Sequence, residues 1–292
     1  MQTTNVQSGK VKPKYKSSPS ESLSKIPLWA LIILAAGFFL LYMILANPDY
    51  HDTFVYLSAG VKMTLKITLM AFPIATVIGL FTGLARLSKN VFLFTISTIY
   101  VEIIRGIPIV VLILMIAFAV VPLYVDLVNK IGAWGLTLVS TGALGNFFNG
   151  MTAYSIRMIP MDIRAVTALA LCYGAFEAEI FRAGIQSISK GQMEAARSLG
   201  MNYIQCMRFI ILPQAVRRVL PPLGNDFIAM LKDSSLATVL AVNELTQLTR
   251  LRRSSTFRVM EAFNVAAFLY LAMTLVLSVG VRVLERKMKI EE

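Results

Sequence analysis

An all-α membrane fold that crosses the bilayer several times is predicted by three observations. The chain of 292 residues is 57% hydrophobic and only 15% charged, against about 45–50% and about 25% in soluble domains. The surplus is gathered into apolar runs of about 20 residues, the length that crosses a hydrocarbon core as a helix. Lysine and arginine are spread unevenly over the segments between those runs, as topology rules require.

Six crossings follow, at residues 27–45, 60–84, within 91–122, within 165–185, 222–242 and 263–284. Asn47-Pro48-Asp49 bounds the first. Residues 1–25 are rich in Lys, Ser and Pro, a composition that favours disorder, and carry no A-x-A-like cleavage site, so the first run reads as a retained anchor. Gly79 and Gly83 in the second run form a G-x-x-x-G pair, which lets a neighbouring helix approach closely. The third region, 91–121, would be about 46 Å long as one helix, too long for a core of about 30 Å. Arg105-Gly106-Ile107-Pro108 breaks it, because proline lacks a donor and disfavours helix just before it. Residues 91–104 are then expected in the cytoplasmic leaflet, and 107–121 to complete the crossing.

An outer segment, 122–162, follows. It is rich in Gly, Asn and Thr and carries Trp134, Phe147, Phe148 and Tyr154, aromatics suited to the membrane interface. A folded cap and an open loop both fit this composition. With both ends cytoplasmic, sixteen cations lie inside and ten outside, so an even number of crossings is expected; Arg250, Arg252, Arg253 and Arg258 fit this bias least. The net charge of +12 is accounted for by this rule and by anionic lipid headgroups, with no need for nucleic acid. Cys172 falls in a crossing and Cys206 in a cytoplasmic loop. No disulfide is expected, and Cys206 should be open to thiol reagents from the cytoplasm, whereas Cys172 should resist them.

The segment between the fourth and fifth crossings reads as two short helices. Ser189 with Gln192 offers a capping box for the first, and Gly200 stands where a left-handed C-cap is wanted. Asn202 with Gln205 offers a second start, and Leu212-Pro213 a second stop. The first helix would present Ala195, Ala196 and Leu199, with Glu194 and Arg197 at its edges.

Charges inside crossings cost about 2.5–3.5 kcal/mol each on insertion scales and so call for partners or a polar path. Glu102 and Arg105 are spaced to pair on one helix face, as are Glu179 and Arg182. Glu177 lies on another face and is placed to line a cavity. Asn225, Asp226, Lys232, Asp233, Ser234 and Ser235 bracket the fifth crossing. They suit either a helix-end cap with solvated charges or a site for a zwitterion, with Lys232 and Asp233 offering one group of each sign.

Glu194-Ala195-Ala196, Gly200, Ile210, Leu212 and Pro213 have the anchors and spacing of the cytoplasmic EAA loop of bacterial and archaeal ABC importer permeases. Gly60-Val61-Lys62-Met63-Thr64-Leu65, Ala85-Arg86-Leu87-Ser88, Arg105-Gly106-Ile107-Pro108, Glu179-Ile180-Phe181-Arg182-Ala183-Gly184-Ile185 and Lys232-Asp233-Ser234-Ser235-Leu236 are similar to the polar-amino-acid (histidine, glutamine or arginine type) branch of that family. Ile107 stands where the family usually has Thr, and the 122–162 segment exceeds that of compact members.

The resemblance implies a type I importer permease fold over 58–289, with an outer insertion at 122–162 and the EAA loop at 187–214. Residues 26–57 form an added membrane helix and outer loop. It implies a multi-pass subunit of the inner or plasma membrane, partnered by an ABC ATPase, an external binding protein and a second permease copy or paralogue. ATP and magnesium would sit on the ATPase, with no cofactor on this chain. Glu194, Ala195, Ala196, Gly200, Ile210, Leu212 and Pro213 would couple to that ATPase. In keeping with this, no G-x-x-x-x-G-K-[ST] loop occurs. The lone His51, read as a solvated loop residue, offers no metal set or catalytic triad. An ion-driven secondary transporter is the alternative, but it would call for internal repeats, and none is clear.

Overall fold

The computed structural model describes residues 28–288, all helical apart from turns and linkers. The basic tail at 1–25 and the last four residues lie outside the described residues. Helix α1 (Leu28–Ala46) leads through Asn47 into α2 (Pro48–Ala85). Asn47 Oδ1 accepts from the Asp49 amide at 2.9 Å, and Pro48 fills the first helical turn, where its missing N–H costs nothing. At 38 residues, α2 is about 57 Å long. Asn90 caps α3 (Val91–Gly106) by accepting from the Phe92 amide at 2.9 Å. Ile107 is then extended, as its position before Pro108 demands, and the break falls where the sequence placed it.

The next helix, α4, runs over Ile109–Leu138, well past the expected end of the third crossing. Helix α5 (Gly142–Thr152) folds back on it. Met151 and Phe148 lie where the missing side chains of Gly132 and Gly135 leave room. The outer segment is thus a folded helical hairpin, closed by a short 3₁₀ turn at Ile156–Met158.

Helix α6 (Met161–Gln186) is the central element, with Ala165, Leu169, Cys172, Ala175 and Ala178 fully buried. Helices α7 (Lys190–Ser198) and α8 (Tyr203–Cys206) form the loop, and α9 (Leu212–Asp233) passes into a 3₁₀ stretch, Ser234–Leu240. Helix α10 (Leu245–Thr256) and the 30-residue α11 (Val259–Met288) complete the chain. Among the described residues three helices are long and apolar enough to cross a membrane: Pro48–Ala85, Ile109–Leu138 and Val259–Arg286. Leu31–Ala46 is apolar but shorter.

One proline, Pro213, behaves differently from the sequence expectation. Neither Pro122 nor Pro213 stops a helix; each follows a π-helical turn, Ile116–Val120 and Met207–Ile211. A proline ring would clash with the carbonyl four residues back, and the wider π turn supplies the room. Leu212-Pro213 therefore opens α9 instead of ending the helix before it.

The most extensive packing is between α2 and α6. A Cβ at Gly79 would lie 2.7 Å from Glu177 Cβ and 3.1 Å from the Ala178 amide nitrogen, and one at Gly83 would lie 2.8 Å from the Ala178 carbonyl oxygen. The G-x-x-x-G reading holds, and its partner is α6. The outer arginines also find their reason. Arg258 pairs with Asp49, and the Arg252 guanidinium lies 5.6 Å from the centre of the Tyr56 ring. They fasten α10 and the start of α11 to the N-terminal part of α2.

Gly79→Ala and Gly83→Ala should each destabilise the chain by about 1–3 kcal/mol, the usual cost of overpacking. Gly280→Ala, with nothing within 4 Å of its added Cβ, should be neutral or stabilising by up to about 1 kcal/mol from helix propensity. Thermal melting of the detergent-solubilised chain measures the contrast.

Candidate functional site

The loop between α6 and α9 is built by two caps of unequal quality. Ser189 has the extended backbone of an N-cap, but its side chain makes no capping hydrogen bond, so the Ser189–Gln192 box does not form. The Asn202–Gln205 box does form. Asn202 Oδ1 accepts from the Gln205 amide, and Gln205 Oε1 from the Asn202 amide, both at 2.9 Å. Between them Gly200 has φ +84°. The Gly200 amide donates to the Arg197 carbonyl at 2.9 Å and the Met201 amide to the Ala196 carbonyl at 3.2 Å, the two bonds of a Schellman turn. A β-carbon at that φ is penalised.

The loop is seated by a small apolar cluster of Ile188, Ile211 and Ala215, against which Ile210 and Met193 pack. Ala196 turns into the protein and is 4% exposed, so the presented face is Glu194, Ala195, Arg197 and Leu199. Leu199 is 81% exposed and Ile204 75%. Tyr203 and Phe209 nearby are also exposed, and apolar patches of this kind mark contact with another protein. A cavity of about 710 Å³ beside it is lined by Leu87, Met193, Glu194, Arg197, Tyr203 and Met207, among others. Cys206 is buried, with Sγ 3.7 Å from the Met201 carbonyl oxygen. The expectation of an accessible thiol there fails, because Cys206, the last residue of α8, is fully buried.

Charged groups near the C-terminal end of α2 form one network. Arg86 reaches Glu179 at 2.8 Å and Glu102 at 3.6 Å, and Glu179 also pairs with Arg182. The Glu179–Arg182 pairing matches the spacing argument. Glu102 does not pair with Arg105, because Arg86, at the end of α2, lies across from it. Arg105 instead lines a cavity of about 600 Å³ with Phe176, Glu179, Arg218 and Asp226. At the N-terminal end of α6 Lys66 binds Asp162 at 2.7 Å, and the Lys66 ammonium holds the Asp162 carboxyl below the usual carboxylate range.

Residues 225–235 divide between two faces of α9. Asp226 and Asp233, seven apart, are half-buried, and Asp233 accepts from the Tyr173 hydroxyl of α6 at 2.8 Å. Asn225 and Lys232, also seven apart, are exposed. Lys232 and Asp233 therefore do not converge on one point. Ser234 is buried and donates to the Leu231 carbonyl at 2.7 Å, while Ser235 is half-buried. Sequence reasoning missed Tyr173, whose aromatic ring among apolar neighbours gave no signal. It expected Glu177 to line a cavity, whereas that side chain is fully buried against α2.

Residues 75–290 match the family described as binding-protein-dependent transport system inner membrane component. A glutamine transport system permease protein of Escherichia coli is 37% identical over 231 residues, covering 79% of this chain and 92% of its own. A probable glutamine ABC transporter permease protein of Bacillus subtilis is 36% identical over 238 residues, covering 82% and 95%. Among solved structures, an amino acid ABC transporter crystallised with histidines aligns at TM-score 0.64 and 34% identity over 84% of this chain and 98% of that one. The inward-facing MetNI methionine ABC transporter aligns at TM-score 0.59 and 19% identity, over 80% and 96%. The helices thus have the type I permease fold of ABC importers.

The unequal caps predict unequal responses. Asn202→Ala should cost about 1 kcal/mol, seen as faster amide exchange over residues 203–206, whereas Ser189→Ala should leave the exchange of residues 190–198 unchanged.

Proposed function

We propose that this chain, which belongs to the family of binding-protein-dependent transport system inner membrane components, is the permease subunit of an ABC importer for a polar amino acid. ATP and magnesium are held by separate ATPase subunits, and an external binding protein delivers the cargo. The chain works as a pair with a second copy or a paralogue, crossing the cell membrane six times with both ends cytoplasmic. Two of the relatives are described as glutamine permeases, and their lengths are nearly fully covered.

The observation that carries this reading is the exposed loop surface of Ala195, Leu199, Tyr203 and Ile204 beside a turn that needs Gly200. Apolar side chains left uncovered there suit a partner subunit seated on the loop. Seated on Ile188, Ile211 and Ala215, the loop passes a push on α7 directly to α6 and α9. Those two helices carry Tyr173, Asp226 and Asp233, so movement of the loop changes the spacing of the path between them. Glu194, Ala195, Ala196, Gly200, Ile210, Leu212 and Pro213 are assigned to coupling. Asn225, Asp226, Lys232, Asp233, Ser234 and Ser235 are assigned to the cargo path, with Asp226 and Asp233 on its inner face.

Two groups of variants should fail in opposite ways. Gly200→Val and Glu194→Lys should insert normally but lose transport, with the ATPase lost on purification or hydrolysing without transport. Asp233→Asn and Lys232→Met should keep the ATPase but weaken uptake roughly ten- to a hundredfold, the range for losing a charge-assisted contact. Normal transport by both loop variants would sink the coupling assignment.

Orientation is tested separately. Because Cys172 and Cys206 are both buried, the chain has a quiet background for thiol labelling. Leu199→Cys should react with an impermeant maleimide in inverted vesicles lacking the ATPase and not in intact cells. Labelling from outside would overturn the topology.

A further inference from the structure

Two cavities beside the loop run into one another and differ in chemistry. The chamber of about 710 Å³ between α7 and the end of α2 is rimmed by Ser88, Ser189, Lys190 and Arg197, with Glu194 as its one acid. The Ser189 side chain makes no capping hydrogen bond. Among the described residues neither Lys190 nor Arg197 has an ion-pair partner. A second hollow, of about 630 Å³, lies between α2 and α3 and shares Leu84 and Ser88 with the first.

The second hollow is a hydrocarbon trough. Phe81, Leu84, Leu93 and Ile96 line it, and all four are exposed. Ser97 and Tyr100 line it too, but their hydroxyls are directed at the protein: Ser97 donates to the Leu93 carbonyl at 2.8 Å and Tyr100 to the Leu171 carbonyl at 2.6 Å. Arg86 marks one edge of the hydrocarbon core, about 30 Å along α2 from Lys66. Phe81 is about 7.5 Å inside that edge, and Ser88 lies just past it. The trough is thus on the lipid side of the edge and the basic chamber on the water side.

A single amphiphile matches this change of character, whereas a free anion would use the chamber and leave the trough unfilled. We infer that chamber and trough together hold one phospholipid with an anionic headgroup. Its head meets Lys190 and Arg197, and one acyl chain lies between α2 and α3. Basic recesses between membrane helices suit such heads. Helix α7 is packed on the π turn Met207–Ile211 and on α8, and the lipid fills the space that separates it from the end of α2. The inference needs only that the chain lies in a membrane, so it stands apart from the permease reading.

The test is native mass spectrometry of the full chain in detergent, titrated with dioleoyl phosphatidylglycerol and, in parallel, with dioleoyl phosphatidylcholine, which has the same acyl chains and a zwitterionic head. One phosphatidylglycerol per chain should be retained at a concentration about tenfold below that needed for phosphatidylcholine. Lys190→Gln combined with Arg197→Gln should weaken its binding roughly thirtyfold, at about fivefold for each cation lost, with the melting temperature of the lipid-free chain unchanged. Arg250→Gln combined with Arg253→Gln, which removes the same charge from α10, should leave it within about twofold. Ile96→Trp, which fills the trough, should also weaken it, and a tenfold excess of glycerol 3-phosphate should not displace it. Equal retention of the two lipids, or equal losses from the two double variants, would reduce the effect to general lipid or charge attraction and overturn the inference. Displacement by glycerol 3-phosphate, or full binding by Ile96→Trp, would leave an anion site without a lipid and overturn it as well.

Discussion

The close contact of α2 and α6 at Gly79 and Gly83 governs the rest of the molecule. Both helices run in the same direction, and with no side chain at those two positions their backbones nearly touch. That register brings Lys66 to Asp162 at one end and Arg86 to Glu179 at the other. Lys66 and Arg86 are separated by about 30 Å of helix, the thickness of a hydrocarbon core, so each ion pair can sit at one membrane interface with apolar packing between. Glu177 is forced against α2 by the same contact. One additional carbon at Gly79 would disturb the core, the charge clamps and the path together.

Around this pair the other elements are attached by particular interactions. Helix α10 and the start of α11 are tied to α2 by Arg252 over Tyr56 and by Arg258 with Asp49. Helix α9 meets α6 through Tyr173 and Asp233, and the loop is held to both by Ile188, Ile211 and Ala215. The loop, α9 and the central pair are therefore in continuous contact.

Features fixed by local backbone chemistry were legible in the sequence. The break at Pro108, the turn at Gly200, the Asn202 cap and the small-residue contact of α2 depend on residues close in the chain. Features decided by tertiary neighbours were not. Ser189 has the right backbone for a cap but no bond. Arg86 takes Glu102 away from Arg105. Cys206 is buried by the packing of the loop, which no local pattern announces. Pro213 was read as a stop because isolated helices do stop there, whereas here a wider turn absorbs its ring. The hairpin of α4 and α5 was ambiguous because Gly132 and Gly135, loop-like in composition, serve as the surface on which Met151 and Phe148 pack. In the path, the residue types were visible but their faces were not, since Lys232 and Asp233 are adjacent in sequence and point apart.

The central claim is that an ATPase subunit engages the loop and drives the path through it. A photo-crosslinking amino acid at Leu199, introduced into the chain in native membranes, tests it most directly. The account predicts that irradiation traps an ABC ATPase subunit at that position, and that the same probe at Phe147 on the outer hairpin does not. Trapping of the ATPase from Phe147, or its retention in the complex with no product from Leu199, would contradict it.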